Sequence, residues 1–387
     1  MKIEPFALER WMSGIETLVH YNISAGGMSP LSVHDLLALE PAEKREKLLN
    51  DLLHASLGYS EARGSLELRS AIAATYRNCG PENILVTTGA IEANFLIFNV
   101  LLEAGDGVIT PYPSYQQLAS VPRAIGCDVA YWNITPQTNF RYNLAELEQL
   151  VTPKTRLIVI NTPHNPTGAT LNAEELRHVY ALAESVGAKV LSDEAYRWIA
   201  LPDNGNAAPP IFDFGPAGIS VGTLSKALGL PGLRIGWIAA PVELIQACWG
   251  MRDYISLCPS GLSDMLATLA LSNRAKLMER NQAIIRQNLT IVQNWLEAQS
   301  AIFTWEPPQG GVLSLLRYQL DIPSLDLADK LAREFEVMGV PGAKFGFEHF
   351  LRLGLGQDPQ NLAEGLARTS NCIRALREAG TPLLATE

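Results

Sequence analysis

The chain has 387 residues, of which 47% are hydrophobic and 18% charged, and its formal net charge is −10. This composition is ordinary for a globular protein, and the length is sufficient for two domains with a sizeable core. The negative charge, without any basic cluster, argues against nucleic acid or an anionic membrane as a partner.

The N-terminal segment, the apolar runs and the cysteines argue against a secreted, a membrane-spanning and a metal-binding protein. The N-terminal MKIEPFALERW lacks the apolar core of a signal peptide, and no apolar run reaches transmembrane length. No C-x-x-C pair occurs among the five scattered cysteines, Cys79, Cys127, Cys248, Cys258 and Cys372. We therefore expect a cytoplasmic protein with reduced cysteines, no bound metal and no membrane partner.

Residues 1–45 are predicted to form an arm rather than a domain. The apolar residues of Glu4–Ile15 have helical spacing, and Gly26-Gly27 with Pro30 indicates a loop. Ser32–Leu39 has the features of a short helix capped by Ser32. Because such an arm has little apolar surface to bury against itself, we expect it to dock on the body or on another subunit.

Residues 46–290 have the pattern of an α/β domain, in which short apolar strands alternate with helices. Such a chain forms a doubly wound, mostly parallel sheet. The predicted strands are Ile84–Thr87, Val108–Thr110, Val129–Trp132, Arg156–Ile160, Lys189–Ser192, Ile219–Val221 and Ile235–Ala240. The predicted helices include Ser65–Tyr76, Glu92–Leu102, Leu144–Leu150, Ala173–Val186 and Lys276–Gln299.

Residues 291–387 change in pattern and predict a smaller α+β domain that the N-terminal arm joins. The predicted strands are Phe303–Trp305, Val312–Leu316 and Leu351–Leu355. The predicted helices are Leu325–Met338 and Pro359–Glu378.

Polar groups follow several predicted strands, at the edge where open α/β sheets bind ligands. Gly89-Ala90-Ile91 joins a strand to a helix N-terminus and suits an anion, although a plain turn explains it equally well. Asn165 projects from a loop that two prolines make irregular. Asp193 ends a buried strand, where a carboxylate needs a partner. Tyr115 is either a core residue or an aromatic that stacks on a ligand.

The segment Gly222–Trp237 places Lys226 between two apolar strands, with Thr223, Ser225 and Arg234 nearby. Burying an ammonium is costly, and one use of such a lysine is a Schiff base with an aldehyde. The hydroxyls and the guanidinium would then suit the phosphate of pyridoxal 5'-phosphate (PLP). From this stretch alone, an exposed loop lysine with a structural arginine is an equally good explanation.

Taken together, these motifs resemble the class I and II aminotransferases, PLP-dependent enzymes of fold type I. Seven patterns occur in the family's order: LGYSEARGSLELRSAIA, TTGAIEANF, PYPSY, NTPHNPTGA, SDEAYR, GTLSKALGLPGLRIGW and FLRLGLG. The resemblance implies a large domain with a seven-stranded, mostly parallel sheet and a smaller α+β domain. It also implies PLP as the cofactor and a small α-amino acid as the substrate.

The resemblance assigns a cofactor role to each matching position. Lys226 would hold the PLP aldehyde, and Asp193 would pair with the ring nitrogen. Tyr115 would stack on the ring, while Asn165 and Tyr196 would bond its phenolic oxygen. The phosphate would be held by Gly89, Ala90, Ile91, Thr223, Ser225 and Arg234. Many relatives carry Ser or Thr among the three positions 89–91. This chain has no hydroxyl there, so we expect the segment to contact the phosphate through its backbone.

The same resemblance implies the substrate contacts and the assembly. Arg352 would bind the substrate α-carboxylate, and Gly27 would approach it. Tyr59 would reach the phosphate of a neighbouring subunit, which implies a homodimer with shared active sites. Lys226, once the substrate amine has displaced it, would be the base that removes the Cα proton.

The fold does not choose the reaction. Within the family, the chain resembles the capreomycidine- and enduracididine-forming cyclases, which close a guanidine ring on hydroxylated arginine. The shared segments are GTLSKALGLPGLRIGW, RDYISL, LERW and NISAGG. A cyclase of this kind is our first hypothesis, and an aminotransferase that passes the amino group to a 2-oxo acid is the second. A PLP-binding regulator is disfavoured because the chain has no basic patch.

A cyclase must also hold the substrate guanidinium, which requires carboxylates or hydrogen-bond acceptors. The arm offers Glu9, His20 and Ser24. Glu9 fits a solvated helix face equally well, and His20 fits a packing role. On the resemblance of the arm to that of the cyclases, we predict that Glu9 and His20 bind the substrate.

Overall fold

The structure is a computed structural model that describes residues 2–199, 201 and 208–384. Thirteen strands lie within these residues: β1 (Tyr21–Asn22), β2 (Ile84–Thr87), β3 (Gly107–Tyr112), β4 (Asp128–Asn133), β5 (Thr155–Asn161), β6 (Lys189–Asp193), β7 (Gly218–Thr223), β8 (Gly236–Ala239), β9 (Phe303–Trp305), β10 (Leu313–Tyr318), β11 (Val337–Met338), β12 (Val340–Pro341) and β13 (Phe350–Gly354).

The same residues form thirteen α-helices: α1 (Ala7–Ile15), α2 (Val33–Leu37), α3 (Ala42–Leu53), α4 (Leu66–Ala73), α5 (Ala90–Leu101), α6 (Gln117–Ile125), α7 (Leu144–Leu150), α8 (Ala173–Ser185), α9 (Val242–Arg252), α10 (Gly261–Ser272), α11 (Arg274–Ala298), α12 (Ser324–Phe335) and α13 (Pro359–Glu378). In this part of the chain, no helix is both long and apolar enough to cross a membrane.

Seven strands form the central sheet in the order β2-β8-β7-β6-β5-β3-β4. The strands from β7 to β4 are parallel, and β8 runs antiparallel to both β7 and β2. One face packs on α5, α6 and α9, and the opposite face packs on α7 and α8. Burial on both faces explains why the central strands are nearly continuous apolar runs. The predicted seven-stranded, mostly parallel sheet is confirmed.

A four-stranded antiparallel sheet, in the order β12-β13-β10-β9, forms a second unit with α11, α12 and α13. Helix α11 joins the two units because Leu277 packs in an apolar cluster of the large one and Val292 packs in the core of the small one. The domain limit that we predict at residue 290 falls inside this continuous helix. The domain limits therefore stay a prediction.

Several helices differ from their predicted bounds by a few residues; the helix predicted over Ser65–Tyr76, for example, spans Leu66–Ala73. The helix predicted over Leu325–Met338 ends at Phe335, because Glu336 adopts a left-handed conformation with φ of 58° and the chain continues as β11. Strand β11 pairs in parallel with β1, so the arm extends the small domain. The helix predicted over Glu4–Ile15 begins only at Ala7.

The arm docks on both domains. In α1, Leu8 packs against Val340 and Phe345 of the small domain. Just before α1, the ring of Phe6 lies 4.9 Å from that of Tyr115 in the large domain, measured between centroids. The arm therefore spans the gap between the two domains, above the carboxyl ends of the parallel strands.

Candidate active site

A cavity of about 480 Å³ lies where the central sheet, the small domain and the arm meet. Its size is within the range of roughly 300–1,000 Å³ that small-molecule sites occupy. The predicted site residues that line it are Glu9, Ala90, Ile91, Tyr115, Asn165, Asp193, Tyr196, Thr223, Ser225, Lys226, Arg234 and Arg352. A larger cavity of about 680 Å³ lies beside Arg197 and Trp198 and contains none of these groups, so chemistry rather than volume identifies the site.

Asp193 ends β6 on the cavity floor and is buried. Its Oδ2 accepts a hydrogen bond from Asn94 Nδ2 at 3.0 Å, and its Oδ1 accepts one from the Ala195 backbone N–H at 3.1 Å. Burial raises the pKa of Asp193, while these two donors and the nearby Lys226 lower it. The site therefore contains a buried carboxylate that a cationic ligand group would stabilise.

Lys226 follows β7, the strand that pairs with β6, and lines the same cavity as Asp193. Burial lowers the pKa of Lys226, and the nearby Arg352 guanidinium lowers it further. The Met28 backbone N–H donates to the Lys226 carbonyl oxygen at 3.1 Å, so the arm fixes the lysine backbone. An amine with a lowered pKa is available unprotonated, as condensation with an aldehyde requires.

The N-terminus of α5 and the loop before β8 form an anion site. Gly89 has φ of 83°, a backbone conformation that favours glycine, and it lies close to Arg234, since a Cβ there would lie 2.6 Å from Nη2. Arg234 Nη2 also lies 3.4 Å from the Thr88 carbonyl oxygen. Thr223 Oγ1 lies 3.0 Å from Ser225 Oγ on the adjacent wall. Helix N–H groups, a guanidinium and two hydroxyls suit a phosphate.

Arg352 lies on β13 of the small domain and is buried, which lowers its pKa. Its Nη1 donates to Asn165 Oδ1 at 3.3 Å, and its Nη2 donates to the Ser24 carbonyl oxygen at 3.0 Å. Its Nε is buried without a hydrogen-bond partner in the described part of the chain. The Ser24 hydroxyl is already bonded to backbone groups of the small domain, so it is not an acceptor for a substrate.

The arm closes the remaining side of the cavity with Leu8, Glu9 and Met12 of α1 and with Gly26. Glu9 Oε1 accepts a hydrogen bond from the Tyr115 hydroxyl at 3.3 Å. The sequence leaves two explanations open for Glu9, a solvated helix face and a substrate contact. In the structure its carboxylate faces the cavity.

Four predicted site residues do not line this cavity. Gly89 is the N-cap of α5, directly before the lining residues Ala90 and Ile91. His20 is exposed, with Nδ1 3.3 Å from Glu336 Oε1, because its backbone N–H is bonded to the Glu336 carbonyl oxygen at 3.0 Å in the small domain. Gly27 backs Lys226, since a Cβ there would lie 3.4 Å from the Lys226 Cα. Tyr59 is 89% exposed in the single chain. The structure thus brings Glu9 to the site and leaves His20 outside it.

The structure also adds residues that the sequence analysis missed. Asn94 lies one turn after Ala90 in α5, and a buried polar side chain four residues after a predicted cofactor contact is a signal that would have revealed it. Met12 lies three residues after Glu9 and four after Leu8 in α1, so helical spacing from Glu9 points to Met12, and from Met12 to Leu8. Asn161 precedes the Asn165 loop, and its Oδ1 accepts from the Asn165 backbone N–H at 2.8 Å.

Comparison with known proteins agrees with this geometry. Residues 28–368 match the family model described as aminotransferase class I and II. The chain is 32% identical to a capreomycidine synthase from Streptomyces vinaceus, over 94% of this chain and 92% of the other. A solved PLP-dependent aminotransferase from Streptococcus suis 89-1591 is 34% identical, with a TM-score of 0.91 and coverage of 97% and 99%. The solved PLP-dependent cyclase OrfR is 32% identical, with a TM-score of 0.87 and coverage of 98% and 99%.

The chain therefore belongs to the aminotransferase class I and II family. It is a PLP-dependent enzyme of fold type I, and the predicted family, fold and cofactor are confirmed.

The residues present fit PLP by their chemistry. Lys226 would hold the aldehyde, Asp193 the ring nitrogen, and the anion site around Gly89 the phosphate. Buried polar atoms without partners in the described residues, Asn94 Oδ1 and Arg352 Nε, are the kind that a polar ligand satisfies.

Proposed function

We propose that this PLP-dependent enzyme is a cyclase that closes a guanidine ring on a hydroxylated arginine. In the overall reaction the carbon that bears the hydroxyl loses it as water and gains a bond to a guanidine nitrogen. The reaction consumes no oxidant and no second substrate. Within the cavity, Arg352 and Glu9 have charges that suit the α-carboxylate and the guanidinium of this substrate, and Lys226 can act as the base.

The position of Glu9 is the single observation that carries the proposal. Beyond its amine, an arginine-type substrate has an α-carboxylate, which suits Arg352, and a guanidinium, which suits a carboxylate. Glu9 lines the same cavity as Arg352, and within the described residues it forms no ion pair with a Lys or Arg side chain. A cationic substrate tail would satisfy this carboxylate.

Each residue has a defined task in this proposal. Lys226 Nζ moves the Cα proton, and its lowered pKa leaves it free to accept that proton. Bound PLP supplies an electron sink for the electron pair left at Cα. Arg352 orients the substrate through its carboxylate. Burial raises the pKa of Tyr196, so its hydroxyl stays protonated as a donor. Its present acceptor is the Gly26 carbonyl oxygen at 2.7 Å.

Similarity to capreomycidine synthase and to the cyclase OrfR supports this reaction. The alternative is transfer of the α-amino group to a 2-oxo acid. It is supported by similarity to the Streptococcus suis aminotransferase, and the contacts of Asn165 and Tyr196 would serve either reaction.

One assay separates the two reactions. The PLP-loaded enzyme is incubated with hydroxyarginine and no 2-oxo acid, and the product is analysed by mass spectrometry and the cofactor by absorbance. We expect a cyclic product that has lost one water, with the cofactor still in its aldehyde form. Conversion of the cofactor to pyridoxamine phosphate, with turnover only after a 2-oxo acid is added, would establish the aminotransferase instead.

We also propose that two copies form a dimer with shared active sites. Exposed apolar side chains surround Tyr59 and the loop after α9, namely Leu53, Leu57, Tyr254 and Ile255. The two segments are linked, because the Ser60 hydroxyl donates to the Pro259 carbonyl oxygen at 2.5 Å. Pairing this surface with its copy would remove it from water. Sedimentation of the holoenzyme should give a dimer, and a monomer with undiminished PLP affinity would contradict shared sites.

A further inference from the structure

The Asp193 carboxylate is held by one backbone donor and one side-chain donor. The backbone donor is the Ala195 N–H, and the side-chain donor is Asn94 Nδ2, which bonds Oδ2 at 3.0 Å. Asn94 is 1% exposed and its own Oδ1 has no partner in the described residues. The bond to Asp193 is therefore the one hydrogen bond that the Asn94 side chain makes within the described residues.

The helix that carries Asn94 also carries the anion site. Ala90 and Asn94 are four residues apart in α5 and both line the cavity, so they lie on one helical face about one turn apart. Helix α5 therefore has two roles. Its N-terminal backbone N–H groups are available to a phosphate, and its Asn94 amide donates to Asp193. The distance between the two cofactor anchors is fixed by helix geometry.

We propose that Asn94 is a positioning residue that orients the Asp193 carboxylate toward the ring nitrogen of PLP. The carboxylate is buried at the end of β6, and burial alone favours its neutral form. A neutral acid forms a weaker pair with a protonated ring nitrogen. Asn94 acts on the cofactor through Asp193, so the inference rests on the ring-nitrogen role that we propose for Asp193.

The test compares two cofactors that differ at one atom, PLP and its 1-deaza analogue, in which carbon replaces the ring nitrogen. Dissociation constants for each are measured spectroscopically on the apoprotein of wild type, Asn94→Leu and Asn94→Ala. We expect both variants to bind PLP about tenfold more weakly, the typical effect of one hydrogen bond to a charged group. Binding of the deaza analogue should change by less than about twofold, well below that effect. Asn99→Leu is the matched control, since its amide bonds the Phe95 carbonyl oxygen in the same helix at 2.8 Å.

Asp193→Ala, measured in parallel, separates the positioning role of Asn94 from the ring-nitrogen role of Asp193. If it loses the preference for PLP over the deaza analogue while both Asn94 variants keep it, the positioning role of Asn94 is wrong. If Asp193→Ala keeps the preference, the ring-nitrogen role of Asp193 is wrong and the inference falls with it. Equal weakening of both cofactors in the Asn94 variants indicates a packing role instead and also overturns the proposal. Cyclisation is not measured, so none of these outcomes depends on which reaction the enzyme performs.

Discussion

The cavity has two unlike walls. The cofactor wall comprises Asp193, Thr223, Ser225, Lys226 and Arg234 and is built by the ends of adjacent strands of one sheet. The arm wall comprises Leu8, Glu9, Met12 and Gly26 and comes from a segment that is remote in sequence and docks on both domains. The first wall fits PLP whichever reaction follows, whereas the second has no group suited to the cofactor and, in the function we propose, contacts the substrate. We infer that the cofactor wall makes the protein a PLP enzyme and that the arm wall selects the reaction.

Mutations can test whether the cofactor wall and the arm wall act separately. A substitution in the cofactor wall should impair every substrate alike, because all of them use the same cofactor. A substitution in the arm wall should alter the preference between substrates and leave cofactor binding intact. A variant that behaves in the opposite way would show that the two walls do not act separately.

The largest effect is expected for Lys226→Ala. The change removes both the anchor for the PLP aldehyde and the base at Cα, so turnover should fall by at least about 10³-fold with every substrate. The visible absorbance of lysine-bound cofactor should also be lost, which a titration of apoprotein with PLP measures. Lys154→Ala, at an exposed lysine, is the control. A variant that keeps the absorbance band would mean that another amine holds PLP.

Arg352→Lys should have the next largest effect. A lysine keeps the charge but loses the planar pair of donors, so the KM for amino acids should rise about 10- to 100-fold. The measurement is repeated with the α-carboxamide of the substrate, which lacks the carboxylate. If the variant and the wild type still differ equally with the carboxamide, the carboxylate role of Arg352 is refuted.

The sequence predicts the cofactor wall well because its chemistry is local. Asp193 follows one strand directly and Lys226 follows another after a short turn, and parallel register aligns those strand ends without further information. The bounds of β2, α7 and α13 also agree with the structure, since apolar period and capping residues determine them.

Elements with a weak periodic signal are missing from the sequence prediction. Helix α3 has no buried residue, so no apolar face marks it. Helix α6 contains Pro122, a residue that ordinarily ends a helix. The position of the arm is also hard to predict from the sequence. Its docking depends on tertiary contacts, so sequence alone could not decide that Glu9 faces the cavity while His20 does not.

Glu9→Gln tests the arm wall. Glutamine keeps an oxygen for the Tyr115 hydroxyl but removes the charge, so kcat/KM for hydroxyarginine should fall about tenfold. The corresponding citrulline-type compound, which has a neutral urea in place of the guanidinium, should be affected little. PLP affinity should not change. Glu16→Gln, at the end of the same helix, is the matched control. Equal loss with both substrates would assign Glu9 a folding role.

The smallest effect is expected where the arm is fastened to the large domain. Glu4 accepts a hydrogen bond from the Ser120 hydroxyl at 2.6 Å and pairs with Arg123. The hydrogen bond from Ser120 holds the pKa of Glu4 below its ordinary value, although partial burial acts against it, and the charge of Arg123 lowers it further. A carboxylate with a lowered folded-state pKa stabilises the fold above its unfolded-state pKa, and that stabilisation is lost as the pH falls through the folded-state value.

Glu4→Gln should therefore loosen the arm at neutral pH and have no effect in acid. Half of the Glu4 side chain is exposed, and solvent screening should keep the cost below about 1 kcal/mol. Limited proteolysis of the arm, compared between wild type and variant across the acid range, measures the effect, with Glu279→Gln as the control at an exposed glutamate. A difference that persists below the folded-state pKa would mean that lost packing, rather than lost charge, weakens the attachment of the arm.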